Sequence, residues 1–557
     1  MSTKNYKPVS LALLALVSGL SLTLLTDNAA QGKTRHRQGS AVRTGAPAAN
    51  TNNGHAKTAG LAASSSKSNL ALTVDAWLSR PEIKYSRVGV EIYDVNSGQI
   101  LYESNGSKRH TPASTAKVLT TACLYDLYGG DFVYKTRLLT NGSVKDDTLK
   151  GDLILDCSQD PSFSRGDLEG LVASLKRLSS DGLKRIDGKI YEFAPPESRD
   201  NFHVNWLIED FGQEWMPVSS SLVVDKNIAY VGGIPKIYKV EDVTKSGLAL
   251  VDGVLAADLA SSFLAFDEAS GVVRLYRGLA MGSNGKPDPK IHRDGPFVVG
   301  NPTDYNIGLF TASLTENNVS FARPVIKSEK VLGFLSKQPR TTLVEHGSKP
   351  LSQLIKLCLY ESDNLYAQQF LRTLSISPVA ASGGDKKKAV SSASLEERGL
   401  WRLGEWLSQI GVPNSQVVLF DGCGLSRKNA ITPHALNLVL AHMYKTKPQY
   451  LDLLRASDVK GGGSRYSFKT GAMDTVRGLS GVLENKGRVL AITTLVNGHT
   501  PSVRDVRIVL ADLIERVRRC ELPAAPAASA AKAAKAIANP NTVAKPEQAK
   551  LEQTKTN

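Results

Sequence analysis

The sequence predicts an α+β fold in which one antiparallel sheet is assembled from the two ends of the folded region. Apolar alternation over residues 88–95 and 99–102, with a turn between them, predicts a hairpin near the start. A second hairpin is predicted near the end, over residues 479–483 and 489–496. Because the stretches near these hairpins are helical in pattern, distant strands should meet in one sheet covered by helices.

Two helices are predicted at the edges of the folded region. The first covers Leu70 to Leu78, directly before the opening hairpin. The second covers about Val503 to Arg518 and follows the closing hairpin. Its apolar residues recur at helical spacing and should face the core: Val506, Val509, Leu510, Leu513 and Val517.

The pattern changes between about residues 137 and 345. Short apolar runs alternate there with Gly, Asp, Asn and Pro, which predicts a large, mostly β insertion. We expect strands at four places in it: Leu153–Leu155, Ser221–Val224, Gly271–Leu275 and Phe297–Val299.

The two ends of the chain have the composition of segments outside the fold. Residues 1–31 combine Lys4 and Lys7 with an apolar run and a polar end, which predicts a signal peptide or an uncleaved N-terminal anchor. Either interpretation places the bulk of the protein in the periplasm or cell envelope. Residues 32–69 predict a disordered basic linker, and residues 522–557 a disordered tail rich in Ala, Lys and Pro.

The formal net charge of +15 lies mostly in these flanks. Residues 1–69 carry +7, residues 522–557 carry +3, and the folded region keeps only +5. A charge concentrated in tails argues against a nucleic-acid-binding fold. It favours weak contact with anionic wall polymers or a membrane surface, or serves only to keep the tails soluble.

The sequence predicts neither a metal site nor a cofactor. The five cysteines follow no metal-ligand spacing, and none of the nine histidines is placed for a catalytic triad. Cys123 and Cys358 lie in apolar helical stretches and should be buried core residues.

The first chemical motif is a serine and a lysine separated by one helical turn. Pro112 precedes an apolar helix, so Ser114 should lie at its first turn with Lys117 on the same face. A serine hydroxyl is a poor nucleophile until a base removes its proton, and a lysine with a depressed pKa can act as that base. The backbone N–H groups of a helix N-terminus can stabilise an oxyanion.

Two further motifs complete the pattern. Ser362 and Asn364 lie at a junction between helical stretches, where a hydroxyl and an amide can relay a proton and hold a carbonyl. Lys469 and Thr470 precede Gly471 just before the closing hairpin. Their side chains can bind a carboxylate, and the glycine lets a substrate backbone lie close to the strand.

The three motifs in this order resemble those of class A β-lactamases and penicillin-binding proteins. The 248 residues between Ser114 and Ser362 exceed what a β-lactamase needs. The segment Asp421–Arg427 resembles the D-G-S-G-L-S-R stretch of the D-alanyl-D-alanine carboxypeptidase/endopeptidase family, the class C low-molecular-mass penicillin-binding proteins. Several insertion residues also resemble that family: Gly151, Asp152, Leu153, Asp160, Pro161, Ser162, Trp206, Asp225 and Asn227.

The resemblance implies a penicillin-binding transpeptidase/β-lactamase-like catalytic domain with a large, mostly β insertion. We expect the catalytic domain to be divided between residues 70–136 and 346–521, with the β-rich inserted domain or domains at 137–345. The expected partners are peptidoglycan stem peptides, with β-lactams as covalent inhibitors.

The resemblance also implies a role for each matching residue. Ser114 would form an acyl-enzyme, with Lys117 as general base. Ser362 would pass a proton to the leaving amine, while Asn364 positions Lys117 and the substrate amide. The substrate-binding residues would be Lys469, Thr470, Gly471 and Ala472, with the Ala472 N–H completing an oxyanion hole with that of Ser114.

Two residues depart from the family pattern. Cys423 replaces a serine of similar size in the D-G-S-G stretch, which we interpret as a packing change. Ala472 replaces the Ser or Thr that commonly follows Lys-Thr-Gly. The lost hydroxyl removes a hydrogen bond to a charged group, worth about 1.5–3 kcal/mol, so turnover or penicillin affinity should be lower than in relatives.

The function expected from these observations is a serine-type D-Ala-D-Ala carboxypeptidase with D,D-endopeptidase action as a further activity. Two alternatives stay open at this point: a serine β-lactamase, and a non-catalytic wall-binding protein that kept the fold. The sequence does not decide between carboxypeptidase and endopeptidase action, nor does it identify the diamino acid of the substrate or the oligomeric state.

Overall fold

The structure is a computed structural model in which the described residues belong to one compact unit that begins at Ser66. The described ranges are 68–194, 203–207, 210–242, 250–251, 254–255, 262–267, 269–276, 295–322, 325–327, 337, 339–376, 393–458, 463–500 and 503–522. The predicted signal or anchor, nearly all of the linker and almost all of the tail lie outside them. Among these described residues, no helix has the length and apolarity required to cross a bilayer.

Nine α-helices form within the described ranges, and both predicted edge helices are among them. In chain order they are α1 (Asn69–Leu78), α2 (Lys117–Tyr128), α3 (Arg165–Lys176), α4 (Pro302–Glu316), α5 (Leu351–Glu361), α6 (Asn364–Leu374), α7 (Leu395–Gln409), α8 (Pro433–Thr446) and α9 (Val503–Arg519).

The same ranges contain 22 strands. In chain order they are β1 (Arg87–Asp94), β2 (Gln99–Ser104), β3 (Lys135–Thr140), β4 (Ser143–Lys145), β5 (Thr148–Lys150), β6 (Leu153–Asp156), β7 (Arg185–Ile186), β8 (Ile190–Phe193), β9 (Ile228–Ala229), β10 (Lys239–Asp242), β11 (Leu250–Val251), β12 (Val254–Leu255), β13 (Phe263–Asp267), β14 (Val272–Tyr276), β15 (Phe297–Val299), β16 (Thr341–Gly347), β17 (Val417–Val418), β18 (Ala430–Ile431), β19 (Arg455–Asp458), β20 (Ser464–Met473), β21 (Val476–Asn485) and β22 (Arg488–Asn497).

The largest sheet joins the two ends of the folded region, as the sequence predicts. Its six strands follow the order β19-β20-β21-β22-β1-β2, and all neighbouring pairs are antiparallel. Strand β1 pairs with β22 along its whole length, from Arg87 opposite Asn497 to Asp94 opposite Leu490. Nearly every residue of β21 and β22 is buried, because helices cover both faces of the sheet.

Helices α1 and α9 pack on one face of this sheet. The indole N–H of Trp77 in α1 donates to the Val509 carbonyl oxygen in α9 at 2.8 Å, which joins the two helices. The five apolar residues predicted to face the core are all buried: Val506, Val509, Leu510, Leu513 and Val517. The other face carries the helical layer, in which α2 is buried from Lys117 to Tyr125 and packs against α6 and α8.

The two largest sheets of the insertion support the predicted β character. One has the order β16-β3-β6-β8 and the other the order β10-β14-β13-β15-β9. Three of the four predicted strands are confirmed as β6, β14 and β15. The sequence did not predict the helices α3 and α4 within this region. The expected domain limits at 136/137 and 345/346 fall inside β3 and β16, which pair with each other.

The fourth predicted strand, Ser221–Val224, is wrong. Its residues are buried as expected, but the chain curves and forms no ladder there. Side-chain and loop donors satisfy its carbonyl groups instead of a neighbouring strand. The Asn306 amide donates to the Leu222 carbonyl oxygen at 2.6 Å. The backbone N–H of Gln159 donates to the Ser221 carbonyl oxygen at 2.9 Å. A run of apolar residues predicts that a segment is buried, but it does not predict which groups will form hydrogen bonds with the segment's backbone.

A buried polar cluster ties the sheet to α8. Nδ1 of His434 lies 3.0 Å from both carboxylate oxygens of Glu91, whose side chain is buried in β1. The amide of Asn437 donates to the same carboxylate at 3.0 Å. The hydrogen bond to Glu91 raises the pKa of His434, and the charges of Glu91 and the neighbouring Glu103 add to this effect, while burial opposes it.

The stability of the fold should therefore depend on pH through His434. A folded-state pKa above the unfolded value gives stability that is complete below about pH 6.5 and is lost as pH rises through the folded-state pKa. We expect His434→Gln to lower the free energy of unfolding by about 1–3 kcal/mol at pH 6 and by less at pH 8. Urea unfolding at both values measures the difference.

The matched control for this prediction is Glu91→Gln, which removes the partner carboxylate. In that background His434→Gln should have a smaller effect that no longer depends on pH. An equal loss of stability at pH 6 and pH 8 in the otherwise unchanged protein would contradict the prediction.

Candidate active site

Ser114 lies in a tight turn that leads directly into α2. The turn is a 3-10 helix over Ala113–Ala116, and α2 begins at Lys117. Two glycines let other segments approach this turn. A Cβ on Gly424 would lie 1.9 Å from the Ala113 carbonyl oxygen, and one on Gly471 would lie 2.6 Å from that of Pro112. Only residues without a side chain fit there, so the loop and the strand that carry the other motifs can flank Ser114.

The ammonium group of Lys117 is completely buried and contacts three oxygen atoms. Nζ lies 3.0 Å from Ser114 Oγ and 2.6 Å from Asn364 Oδ1. The third contact is the Cys423 carbonyl oxygen at 2.8 Å. The amide and carbonyl oxygens can only accept, whereas the serine hydroxyl can also donate. When Lys117 is neutral, its lone pair therefore faces Ser114.

The helix junction that follows α5 carries the second motif. Ser362 has left-handed backbone angles, with φ 59° and ψ 34°, and ends α5. Asp363 caps α6 by accepting from the Tyr366 N–H at 3.1 Å, and it forms an ion pair of 2.8 Å with Lys226 of the insertion. These contacts fix the direction in which the next residue, Asn364, enters the site.

Asn364 has one orientation because both ends of its amide are engaged. Its oxygen accepts from Lys117, and its nitrogen donates to the Trp215 carbonyl oxygen at 2.5 Å. Trp215 belongs to the insertion, and its side chain is half exposed. The insertion thus contacts a residue predicted to be catalytic directly, which the sequence did not predict.

Lys469 lies in β20 and faces the same interior as Lys117. Its Nζ donates to Ser362 Oγ at 2.9 Å and to the Thr470 carbonyl oxygen at 2.8 Å. Burial lowers the pKa of Lys469 to about 7, and the charge of Lys117 adds to this shift. Ser114 and Ser362 are thus each bonded to a buried lysine.

The register of the sheet leaves part of β20 unpaired among the described residues. Strand β19 pairs only with Arg465 to Phe468, while β21 pairs with the other edge of β20 along its whole length. The two-residue turn after Met473 makes the residue pairs of this ladder alternate, so that Thr470 and Ala472 direct their backbone groups away from β21. The Ala472 N–H is therefore available at the open edge.

The side chains of Lys469 and Thr470 stand on opposite faces of the sheet. Lys469 and Gly471 are buried towards the turn that holds Ser114, while Thr470 and Ala472 are exposed on the other face. Strand alternation thus separates two residues that the motif places side by side.

The loop with the D-G-C-G sequence is organised around the buried carboxylate of Asp421. This carboxylate accepts from the backbone N–H groups of Gly424 at 2.7 Å and Ser426 at 2.5 Å. It also accepts from the Asn429 amide at 2.9 Å and from the indole N–H of Trp206 at 2.8 Å. Trp206 comes from the insertion. The carbonyl group that this loop turns towards Lys117 is that of Cys423.

Cys423 acts in the site through its backbone. Its side chain is completely buried, and burial raises the pKa of its thiol, so the side chain is a neutral packing group. Cys123 and Cys358 are also buried, and all five cysteines are free. No cluster of three metal-binding side chains occurs in the described part of the chain.

Comparisons with known proteins agree on one family. The sequence model of the D-Ala-D-Ala carboxypeptidase 3 (S13) family matches residues 70–517. The D-alanyl-D-alanine carboxypeptidase DacB of Haemophilus influenzae is 25% identical over 455 residues, which cover 77% of this chain and 89% of that protein.

The fold is similar to that of a solved penicillin-binding protein. The crystal structure of penicillin-binding protein 4 from Haemophilus influenzae aligns with a TM-score of 0.60 and 22% identity, covering 80% of this chain and 97% of that chain. A crystal structure of the same protein in complex with a novel β-lactam aligns over the same shares with a TM-score of 0.57 and 22% identity. The α+β, penicillin-binding protein-like fold expected from the sequence is confirmed.

The low pKa of Lys469 predicts how acylation of Ser114 depends on pH. The charged fraction of Lys469 in the free protein should fall about tenfold per pH unit above about 7. In Lys469→Arg the cation persists, because a guanidinium group keeps its proton in proteins. The acylation rate with a fluorescent penicillin is measured for Lys469→Arg and for the unchanged protein. The rate of the variant divided by that of the unchanged protein should therefore rise from pH 7 to pH 9. A constant ratio would show that the charge on Lys469 does not control acylation.

The contact between Trp206 and Asp421 predicts that the insertion supports the catalytic loop. Trp206→Phe keeps the ring but removes the donor to the buried carboxylate, a hydrogen bond worth about 1.5–3 kcal/mol. We expect Trp206→Phe to lower the free energy of unfolding by about this amount and to slow acylation of Ser114 by about 10- to 100-fold in the protein that remains folded. Trp401→Phe, at an exposed position of α7, is the matched control. Equal rates for the two variants would contradict the prediction.

Proposed function

Because the chain belongs to the D-Ala-D-Ala carboxypeptidase 3 (S13) family, we propose that it cleaves the bond between the two terminal D-Ala residues of peptidoglycan stem peptides. It is a serine-type carboxypeptidase of that family, and Ser114 is the proposed nucleophile. The observation that carries this assignment is the contact of Ser114 Oγ with buried Lys117, whose other two contacts are acceptors only.

In the proposed acylation step, neutral Lys117 takes the proton of Ser114 while Oγ attacks the substrate carbonyl carbon. Asn364 and the Cys423 carbonyl group hold Lys117 in place through its other hydrogen bonds. This leaves the lone pair of Nζ directed at the nucleophile. General base catalysis by a positioned group of this kind contributes about 10²–10⁴-fold to the rate.

The negative charge that develops on the substrate oxygen requires donors in fixed positions. We assign this role to the backbone N–H groups of Ser114 and Ala472. The open edge of β20 supports the assignment, because Ala472 directs its backbone groups away from β21. Gly471 brings this edge of β20 against the turn that holds Ser114, so the two proposed donors lie on neighbouring segments.

The leaving amine requires a proton, and Ser362 is the proposed donor. Its hydroxyl is bonded to Lys469, which restores the proton and keeps the hydroxyl oriented. Lys469 also supplies positive charge for the terminal carboxylate of the substrate. In hydrolysis, water attacks the acyl carbonyl carbon, its proton returns to Lys469 through Ser362, and Lys117 gives its proton back to Ser114 Oγ as the shortened peptide leaves.

The same chemistry applies to two related substrates. A D-alanyl crosslink has an amide at the same carbonyl carbon, so D,D-endopeptidase action needs no further catalytic group. β-Lactams would acylate Ser114 covalently, and penicillin-binding protein 4 of Haemophilus influenzae has been crystallised with one. Peptidoglycan lies outside the cytoplasm, so we propose that the protein acts in the periplasm or cell envelope.

The test combines covalent labelling with product release. The purified chain should bind a fluorescent penicillin covalently, as seen on a denaturing gel, and should release D-alanine from a pentapeptide. Ser114→Ala should abolish both, and Lys117→Ala should slow labelling by about 10²–10⁴-fold.

The other outcomes identify the alternatives. Rapid turnover of the penicillin would indicate a β-lactamase. Labelling without D-alanine release would indicate that crosslinks are the substrate, which release from a crosslinked dimer would establish. Neither labelling nor release would overturn the catalytic assignment and leave a wall-binding protein.

A further inference from the structure

A cavity of about 510 Å³ lies beside the strand that carries Lys469, on the face that holds the side chains of Thr470 and Ala472. Its walls come from β19, β20, β21 and α9. Apolar residues line one part of it, among them Phe468 and Leu479, and three arginines line another: Arg455, Arg477 and Arg507. The predicted substrate-binding residues Thr470, Gly471 and Ala472 line the same cavity.

Arg477 occupies a special place in this cavity because of the register of the sheet. It lies in β21 directly opposite Ala472 of β20. Because hydrogen-bonded and non-hydrogen-bonded pairs alternate along the ladder, Ala472 and Arg477 form a non-hydrogen-bonded pair. In such a pair the two Cβ atoms lie about 4.5–5.5 Å apart. The side chains of Arg477 and residue 472 therefore stand next to each other on the same face, so Arg477 lies beside the position that a side-chain hydroxyl at residue 472 would occupy.

The guanidinium group of Arg477 is buried without a full set of acceptors. Only 6% of the residue is exposed. One nitrogen, Nη1, donates to the carbonyl oxygens of Met473 and Val476, while buried Nε has no partner among the described residues. Burial lowers the pKa of Arg477, and the nearby charge of Arg507 lowers it further. A buried cation beside a second cation is unfavourable until an anion binds.

Among the described residues, Asp474 acts on Arg477 through its charge, but no carboxylate is hydrogen-bonded to the Arg477 guanidinium group. Arg507 is exposed and forms no ion pair with the described acidic residues. Glu515, which also lines the cavity, is bonded to Arg518 and Arg519 on its own helix. The carboxylate of Asp474 is 93% exposed at the hairpin turn and is 3.9 Å from Arg427.

We infer that Arg477 binds the terminal carboxylate of the substrate and takes the place of the hydroxyl group that Ala472 lacks. This inference rests on the proposed function, since it assigns a further substrate-binding residue to the same site. The carboxylate lies at the open edge of β20, where Lys469 reaches it from one face and Thr470 and Arg477 from the other, and Arg507 supports it by charge. A guanidinium group can hold a carboxylate with two parallel hydrogen bonds, so the exchange of hydroxyl for arginine retains affinity.

The inference reverses the expectation that Ala472 weakens substrate binding. A Ser or Thr at 472 would offer one neutral donor, whereas Arg477 offers a charged fork from the neighbouring strand. Either a hydroxyl group at residue 472 or the guanidinium group of Arg477 should be enough to bind the carboxylate, so the effects of the two groups on binding should not be additive.

The test compares a penicillin that carries its free carboxylate with the methyl ester of the same penicillin. The second-order rate constant for acylation of Ser114 is measured for both compounds. Arg477→Gln should lower the rate for the acid by about 10- to 100-fold, the effect expected when a charged hydrogen-bond donor is removed. The rate for the ester should change little, because the ester lacks the charge that Arg477 binds.

Three further variants sharpen the result. Ala472→Ser should restore much of the lost rate in the Arg477→Gln background and should change the Arg477 protein little. Arg507→Gln should lower the ratio of acid to ester rates about 2- to 5-fold, as expected for an exposed charge. Arg504→Gln is its matched control, since it removes the same charge from the same helix outside the cavity and should leave the ratio unchanged.

Arg477 also closes the hairpin turn, so Arg477→Gln could fail to fold. Arg477→Lys then serves, because an ammonium group lacks the fork and should still lower the ratio of acid to ester rates about tenfold. If the unchanged protein labels with the penicillin but folded Arg477 variants keep the same ratio of acid to ester rates, the inference about Arg477 is overturned and the proposed function is not. Failure of the unchanged protein to label with either compound would overturn the proposed function instead.

Discussion

The burial of Lys117 is the constraint on which the rest of the site depends. An ammonium group without access to water must find acceptors within the protein, and Lys117 finds three on three separate segments. The turn before α2, the junction before α6 and the loop after α7 must therefore converge at one point. A lysine held in this way has a fixed direction, and that direction is what a general base for Ser114 requires.

The insertion takes part in this convergence through its side chains and backbone. Trp215 accepts from Asn364, Lys226 pairs with Asp363, and Trp206 donates to Asp421. None of these contacts is made to Lys117 itself. Each is made to a residue or loop that bonds to Lys117 or lies next to such a residue. The long gap between the first two motifs is thus filled by a region that holds the proposed catalytic residues in place through these contacts.

Periodicity and motif order predicted the parts of the fold that local sequence controls. The closing hairpin and α9 were predictable because their apolar residues repeat at the strand and helix periods. The predicted strand at Ser221–Val224 failed because distant side chains such as Asn306 satisfy its carbonyl groups. The position of Arg477 opposite Ala472 depends on sheet register, which joins residues that no motif spacing connects.

Strand β1 pairs with β22 over a separation of 410 residues between Arg87 and Asn497. The central sheet consequently cannot close until almost the whole chain has been synthesised, and such long-range pairing makes folding slow. β20 and β21 join the same sheet, so the proposed nucleophile near the start has no partner strand before the last hairpin is available. A nascent chain, or one truncated before β22, would carry Ser114 without the sheet beside it, so the proposed activity requires the chain through the closing hairpin.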